Sequence, residues 1–283
     1  QFGFVPDAVV ADLQNIGNWK VRADAIEALQ KVVSRLDDPS LVLPSLHQFV
    51  RFLDKMLADP NFKISLTTLQ IFGDLVGVVG RGMAPHLNAI MPSLVEKLGD
   101  NKIVVRQANL KVLNKLMATL SPQPVLRTLA QWNAHENRRV REEIVNVFIQ
   151  ALLSYDVGNL DTEELVSTLL LWRNDDHERV RKVMMEALVV VHQQLGMQHL
   201  RAVFQSAGGS DELWGLLERR AQLTPRPIIN GDGLVEHALD DPLVNLSGSP
   251  PESQSRRPGR GNSRALGDKA GDVVGGGDGG GGG

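Results

Sequence analysis

A chain of 283 residues, 42% hydrophobic and 22% charged with a formal net charge of -3, has the make-up of one or two globular domains and lacks the basic character of a general nucleic-acid binder. It has no cysteine, which excludes disulfides, cysteine-ligated zinc and thiol catalysis. Its longest apolar runs, such as ALVVV from Ala187, fall far short of the roughly 20 residues that cross a bilayer, and no membrane partner is expected.

In chain order, the pattern predicts paired helices with short breaks. The first pair covers residues 6–16 and 19–36, with Pro6 suited to a first turn and Gly17–Asn18 as the break. The second covers 41–58 and 62–79 around the turn Asp59, Pro60, Asn61. The third covers 83–98 and 102–120, the fourth 124–132 and 137–152, and the fifth 162–171 and 179–195. A weaker sixth covers 198–205 and 211–222, where Arg219 and Arg220 interrupt the apolar stripe as a solvent-facing terminal repeat would. Beyond residue 224 the chain holds more than half of its 27 glycines, with SPPESQSRRPGRGNSR and a terminal GGGDGGGGG, and 225–283 reads as a disordered tail. Within it, GLVEHALDDPLVNL at 233–246 is the one run able to form a helical turn or a docking segment, or else a plain linker. The start at Gln1 rather than Met reads as a fragment.

The second helices of the first five pairs share one register. Taking Val21, Ile64, Val105, Val140 and Val180 as zero, apolar residues recur at plus seven, eight and eleven, as in Val147, Phe148 and Ala151. These offsets form one stripe of a 3.6-residue helix. The zero positions lie 43, 41, 35 and 40 residues apart, a period that implies an all-α solenoid of six helical hairpins. An aspartate stands six residues before an arginine in two copies, Asp100 with Arg106 and Asp175 with Arg181, and Pro92 precedes Asp100 by eight. This pattern resembles the HEAT repeat, which implies that Arg22, Arg106, Arg141 and Arg181 act mainly in an inter-repeat ladder, worth about 1 kcal/mol or less per contact if exposed.

Six HEAT-like repeats over residues 1–224, opening on a loop with Trp19 and Lys20, resemble a TOG domain. The segments DPNFKISLTTLQI, GDNKIVVRQANLKVL, RRVREEIVNVFIQALLSY and ERVRKVMMEAL further resemble the first TOG domain of the crescerin family of ciliary microtubule proteins. The resemblance implies a non-catalytic, paddle-shaped domain without cofactors, whose intra-repeat loops bind the αβ-tubulin heterodimer from one edge. It also implies residence in the cytoplasm, on the cytoskeleton and in the cilium. The expected site is Trp19, Lys20, Asn61, Phe62, Lys63, Asn101, Lys102, Asn137, Arg138, Arg139 and Arg179. Stacked repeats bring such loops into line, and six of these residues are basic, so the ridge would steer an acidic partner. Glu136 and Glu178 dilute that charge in the fourth and fifth repeats. Trp19 lies in a turn where a side chain points outward, as an interface anchor; Phe62 fits either that role or a cap over the next helix. Trp132 and Trp172, ending first helices, are expected to be buried.

Competing readings are weaker. His135–Glu136 and His177–Glu178 resemble the iron site of deoxyhypusine hydroxylase, but the two histidines stand six and four residues before their arginines and would not superpose, so no metal is expected. Gly77, Gly80 and Gly82 follow no strand and lead to no Gly-Lys-Ser/Thr, which rejects a phosphate loop. Ser121 and Ser249, each before proline, suit turns as well as phosphorylation. The alternative function is a generic HEAT scaffold for protein partners; nucleic acid would need basic inner helices. A monomeric domain is expected, with oligomeric state left open.

Overall fold

A computed structural model describes residues 2–237. The chain divides into two units, Gln1–Leu246 and Ser247–Gly283, and the first holds all the described residues. The glycine-rich end and Ser249 lie outside them.

The first helices (A) and second helices (B) alternate as α1 (Asp7–Gln14) and α2 (Trp19–Val33), α3 (Leu46–Leu57) and α4 (Phe62–Val79), α5 (Leu87–Leu98) and α6 (Ile103–Leu120). Then come α7 (Pro122–Ala130) and α8 (Arg138–Ser154), α9 (Thr162–Leu169) and α10 (Glu178–Leu195), α11 (Met197–Ser206) and α12 (Asp211–Ala221). The B helices match expectation closely, but two A helices start late. Residues 41–45 and 80–86 are 3₁₀ turns because Pro44 and Pro85 supply no backbone donor for an α-helical turn. The stretch Phe62–Leu98 is long and apolar enough for a membrane span by composition, more so than the short runs suggested. It is nonetheless two helices broken at Gly80, and 61% of its most apolar window is buried as core.

Leu29, Phe72, Leu113, Phe148 and Leu188, all at plus eight, are buried to 1% exposure or less, so the shared stripe is the shared core. In the first repeat the fully buried apolar positions of the B helix include Ile26, Leu29 and Val33, while Ala28 and Val32 are half-buried on a helix that packs on α1 and α4 and is flanked by one repeat only. Trp172 is buried as expected, whereas Trp132 is only half-buried. The B helix α8 rests on α5 and α7 and touches α6 lightly, so the stack steps between the third and fourth repeats.

The arginine ladder forms where both partners exist. Arg22 Nε donates to the Leu13 carbonyl (3.0 Å) and its Nη2 pairs with Asp59 of the next repeat. Arg141 donates from Nε to Asp175 Oδ2 (2.7 Å) and from Nη2 to Oδ1 (2.9 Å). No rung joins the second and third repeats, where Ser65 replaces the arginine and donates to the Leu57 carbonyl (3.1 Å). Between the third and fourth, His135 stands in for the aspartate, and Arg106 turns to the Asp100 carbonyl (2.7 Å). The side chains of both rungs are at most 10% exposed. They belong with buried pairs, whose disruption costs about 3–5 kcal/mol, rather than with exposed ones.

The C-terminal end departs most from expectation. Arg220 is fully buried, not solvent-facing: Nε and Nη2 grip Glu186 of α10 at 2.6 and 2.7 Å, and the guanidinium also donates to the carbonyls of Leu223 and Pro225. Its neighbour Arg219 is exposed as expected. Burial pushes the Glu186 carboxyl up despite this partner. Described order runs past Thr224 into a hairpin of β1 (Ile228–Ile229) and β2 (Val235–Glu236), antiparallel, packed on α8. Gln150 Nε2 donates to the Gly233 carbonyl at 3.1 Å. The local signal is Asn230, whose side chain accepts from the amides of Asp232 and Leu234 and closes the turn.

Candidate functional site

Contacts reach from the starts of α4, α6, α8 and α10 to the preceding B helix or its loop: Lys63 to Glu27, Lys102 to Phe62, Arg139 to Asn101 and Arg179 to Glu142. The starts of α2, α4, α6, α8 and α10 therefore lie side by side, and every expected site residue lies at or beside one of them. The third residue before each zero position is the N-cap: Asn18, Asn61, Lys102, Asn137 and His177. Asn18, Asn61 and Asn137 accept from the first-turn amides of Lys20, Lys63 and Arg139 at 3.0–3.1 Å, which satisfies donors a helix start leaves unpaired. A second acceptor holds the four later loops. Asp59, Asp100, His135 and Asp175 accept from the amides of Asn61, Lys102, Asn137 and His177 at 2.8–3.1 Å. His135 thus does an aspartate's work in a loop. It also meets Glu96 at 3.1 Å. Among the described residues no three His, Cys, Asp or Glu side chains cluster as a metal would require.

With the loops held, the two residues before each zero position point outward. Trp19 is 65% exposed and Phe62 46%, so both stand clear of the core. Ile103, at the same register position, is 48% exposed, and its neighbour Val104 44%. The sequence reading passed over these two and over Ile16, 85% exposed in the first loop. The signal was available, since Ile103 is to Val105 what Trp19 is to Val21. The edge therefore has an apolar half, in repeats one to three, and a charged half beginning at Arg138.

The basic ridge is thinner than a count of lysines and arginines suggests. Lys63 Nζ lies 2.6 Å from Glu27 Oε1, and this pair raises the lysine's pKa and lowers the glutamate's. Arg179 Nε donates to Glu142 at 2.7 Å and is half-buried. Lys102 sits 4.4 Å above the Phe62 ring, so a cation and an aromatic from adjacent loops make one contact surface. Arg139 reaches Asn101 across the step, Nη1 to Oδ1 at 3.5 Å. The side chains of Lys20 and Arg138 are exposed and make no hydrogen bond or ion pair among the described residues. Glu178 is held by Lys182 at 3.0 Å, which lowers its pKa, so it offsets the ridge less than its position implied.

Residues 12–207 match the model of the family described as XMAP215/Dis1/CLASP, TOG domain. The chain is 30% identical over 245 residues to the human TOG array regulator of axonemal microtubules protein 1, covering 84% of this chain and 14% of that protein. It is 26% identical to the Caenorhabditis elegans Crescerin-like protein che-12 over 84% of this chain and 19% of that one. The chain thus spans less than a fifth of the length of these relatives. A solved structure described under "Crescerin uses a TOG domain array to regulate microtubules in the primary cilium" superposes with a TM-score of 0.76 at 30% identity, covering 85% of this chain and 99% of that one. The chain belongs to the XMAP215/Dis1/CLASP family of TOG domains.

Proposed function

We propose that this chain is a non-catalytic tubulin-binding module that engages the αβ-tubulin heterodimer along the edge of B-helix starts, as part of a protein that organises ciliary microtubules. The observation that carries it is a row of loops with Trp19 and Phe62 exposed and Lys102 over the Phe62 ring, in a chain of the TOG family. Trp19 and Phe62, with Ile103 beside them, supply the apolar anchors that dominate protein interfaces. Lys20, Asn61, Lys63, Asn101, Lys102, Asn137, Arg138, Arg139 and Arg179 surround them as a polar and basic rim that fixes register and raises the rate of encounter with an acidic partner. The ciliary setting is supported by the relatives named for axonemal microtubules and the primary cilium.

The test is co-elution of the full chain with tubulin in gel filtration, alongside a Trp19→Glu, Lys102→Glu variant. Both side chains are exposed, so the variant should keep the wild-type melting curve and lose binding. Failure of the wild type to co-elute or co-sediment at low salt would refute the function. Equal binding by a folded variant would refute the surface.

A further inference from the structure

The far ends of the B helices form a second edge. From Ile103 at the first edge, α6 runs about 27 Å to Leu120. There its last turn, the 3₁₀ turn at 80–86, the start of α7 and Tyr155 after α8 line a cavity of about 680 Å³. The apolar part of the lining includes Leu87, Met117 and Leu120. Its one charged side chain is Arg81, which is exposed and makes no hydrogen bond or ion pair among the described residues. Thr119, Ser121 and Tyr155 line the same cavity, and their hydroxyls make no hydrogen bond among the described residues either. Burial pushes the pKa of Tyr155 up, so the phenol keeps its proton to donate.

Ser121 has no evident structural task. Its φ of 76° falls where repeats two and five place Gly80 and Gly196, in a backbone region that side chains avoid and that gathers at functional sites. It stands at the N-cap of α7, yet its hydroxyl caps nothing. Pro124 removes one of the two amides a capping serine takes, and the other, of Gln123, is not taken. Glycine would suit the turn better, so a strained serine is retained with its hydroxyl idle. Beside the cavity the surface is apolar. Leu41 and Leu43 are 53% and 50% exposed, Leu43 Cδ2 comes within 3.5 Å of the Cβ position of Gly82, next to Arg81, and Ala84 and Pro85 are exposed as well.

We propose that this second edge binds a partner protein through one carboxylate side chain, received by Arg81 with the hydroxyls of Ser121 and Tyr155, while flanking aliphatic side chains cover Leu41, Leu43 and the cavity floor. Charge favours a carboxylate over a phosphate. Arg81 alone gives the lining +1, so one carboxylate brings it to zero, whereas a phosphate monoester of about -2 would leave it at -1. Guanidinium and carboxylate also pair bidentately. Exposed leucines around a single charged contact suit a protein interface rather than a free ion. Because the cavity lies at the opposite ends of the B helices, it stays open while the first edge is engaged.

The probe is acetyl-Leu-Leu-Glu-Leu-Leu amide, with its glutamine counterpart as control, titrated into the full chain carrying labelled leucine methyls. The glutamate peptide should shift Leu41, Leu43 and Leu120 together and saturably, and bind at least fivefold tighter than the glutamine peptide. Arg81→Gln, at an exposed position, should erase that ratio without changing the melting temperature. Ser121→Gly should melt higher yet bind the glutamate peptide at least twofold more weakly, a combination that a purely structural serine would not give. No saturable shift at these leucines, equal affinity for the two peptides, or a ratio that survives Arg81→Gln overturns the proposal, as does wild-type binding by Ser121→Gly. Displacement of the peptide by inorganic phosphate but not by equal acetate would assign the cavity to phosphate and overturn it. An elution volume that falls with rising concentration in the wild type but not in Arg81→Gln would assign the edge to a second copy and also overturn it.

Discussion

Replacing Asp175 by asparagine tests whether the ladder is a major source of stability. The substitution keeps shape and an oxygen for the His177 amide but removes the charge that Arg141 meets at 2.7 and 2.9 Å, in a pair whose side chains are 9% and 6% exposed. Breaking a buried pair by one partner costs about 3–5 kcal/mol. Arg141 would retain the His135 carbonyl at 2.7 Å and the exposed Asp176 at 2.5 Å, which points to the lower end, about 3 kcal/mol. For a domain of this size that is a fall of roughly 6–12 °C in melting temperature. The acid limb adds a second reading. Burial alone would raise the Asp175 carboxyl, but hydrogen bonds from Arg141 and the His177 amide outweigh it and hold the pKa below its ordinary value. A depressed carboxylate contributes stability above its unfolded pKa of about 3.9 and loses it as pH falls through the lower folded value. Thermal melts by circular dichroism should therefore show a constant gap between wild type and Asp175→Asn from pH 7 to 5 that narrows below pH ~4. A gap under about 2 °C at pH 7, or one that persists unchanged into strong acid, would refute the reasoning.

Ser121 has φ 76° at the position held by Gly80 and Gly196 in repeats two and five, with φ 59° and 76°. Ser121→Gly should raise stability by about 1 kcal/mol in urea unfolding, the relief of a backbone region that side chains avoid net of the added freedom of the unfolded chain. Gly99 lies where a Cβ would come within 2.8 Å of Val140 and 2.9 Å of Asn137. Gly99→Ala should therefore cost about 1–3 kcal/mol by the same measurement. Ile103→Asp should leave the melting temperature within about 2 °C of wild type, since the side chain is half in solvent, and weaken tubulin binding tenfold or more by gel filtration or anisotropy. Arg138→Glu should weaken binding more than Lys63→Glu when the two are titrated at low salt, because Lys63 already spends its charge on Glu27.

Much of this was legible because the B helices repeat a strict register, and a register states which residues face inward without reference to any contact. The same logic placed Trp19 outside and, applied to Ile103 two residues before Val105, would have placed it there as well. Residue type was a poorer guide than phase. Arg220 was misread for the same reason: an arginine breaks an apolar stripe, and only the fold brings Glu186, thirty-four residues away, into bidentate reach. Charge state at the edge was also hidden, since Glu27 and Glu142 lie on the neighbouring B helix and pair with Lys63 and Arg179 only after stacking. The proline-delayed A helices were visible in principle, as Pro44 and Pro85 stand in the sequence. The hairpin at 228–236 was not, because two-residue strands carry no period.

Single side chains at this edge tie the packing between repeats to the shape of the loops in the proposed site. In Asp59, Oδ2 pairs with Arg22 of the preceding repeat while Oδ1 accepts the Asn61 amide at 2.8 Å, one residue from exposed Phe62. In Asp175, Oδ2 accepts from Arg141 Nε while Oδ1 accepts from both Arg141 Nη2 and the His177 amide, which joins Arg141 to the loop before α10. One carboxylate thus sets both the register between repeats and the shape of the loop that projects from the second. A long, flat partner requires loops from separate repeats to hold fixed relative positions, and rigid placement reduces the ordering cost of binding. Asp59→Asn should therefore lower tubulin affinity even under conditions where the chain remains fully folded, with retained amide capping leaving the loop formed but its spacing from the Trp19 loop loosened. An Asp59→Asn chain that melts earlier yet binds as wild type at 10 °C would separate the two roles and show that the partner, not the ladder, aligns the edge.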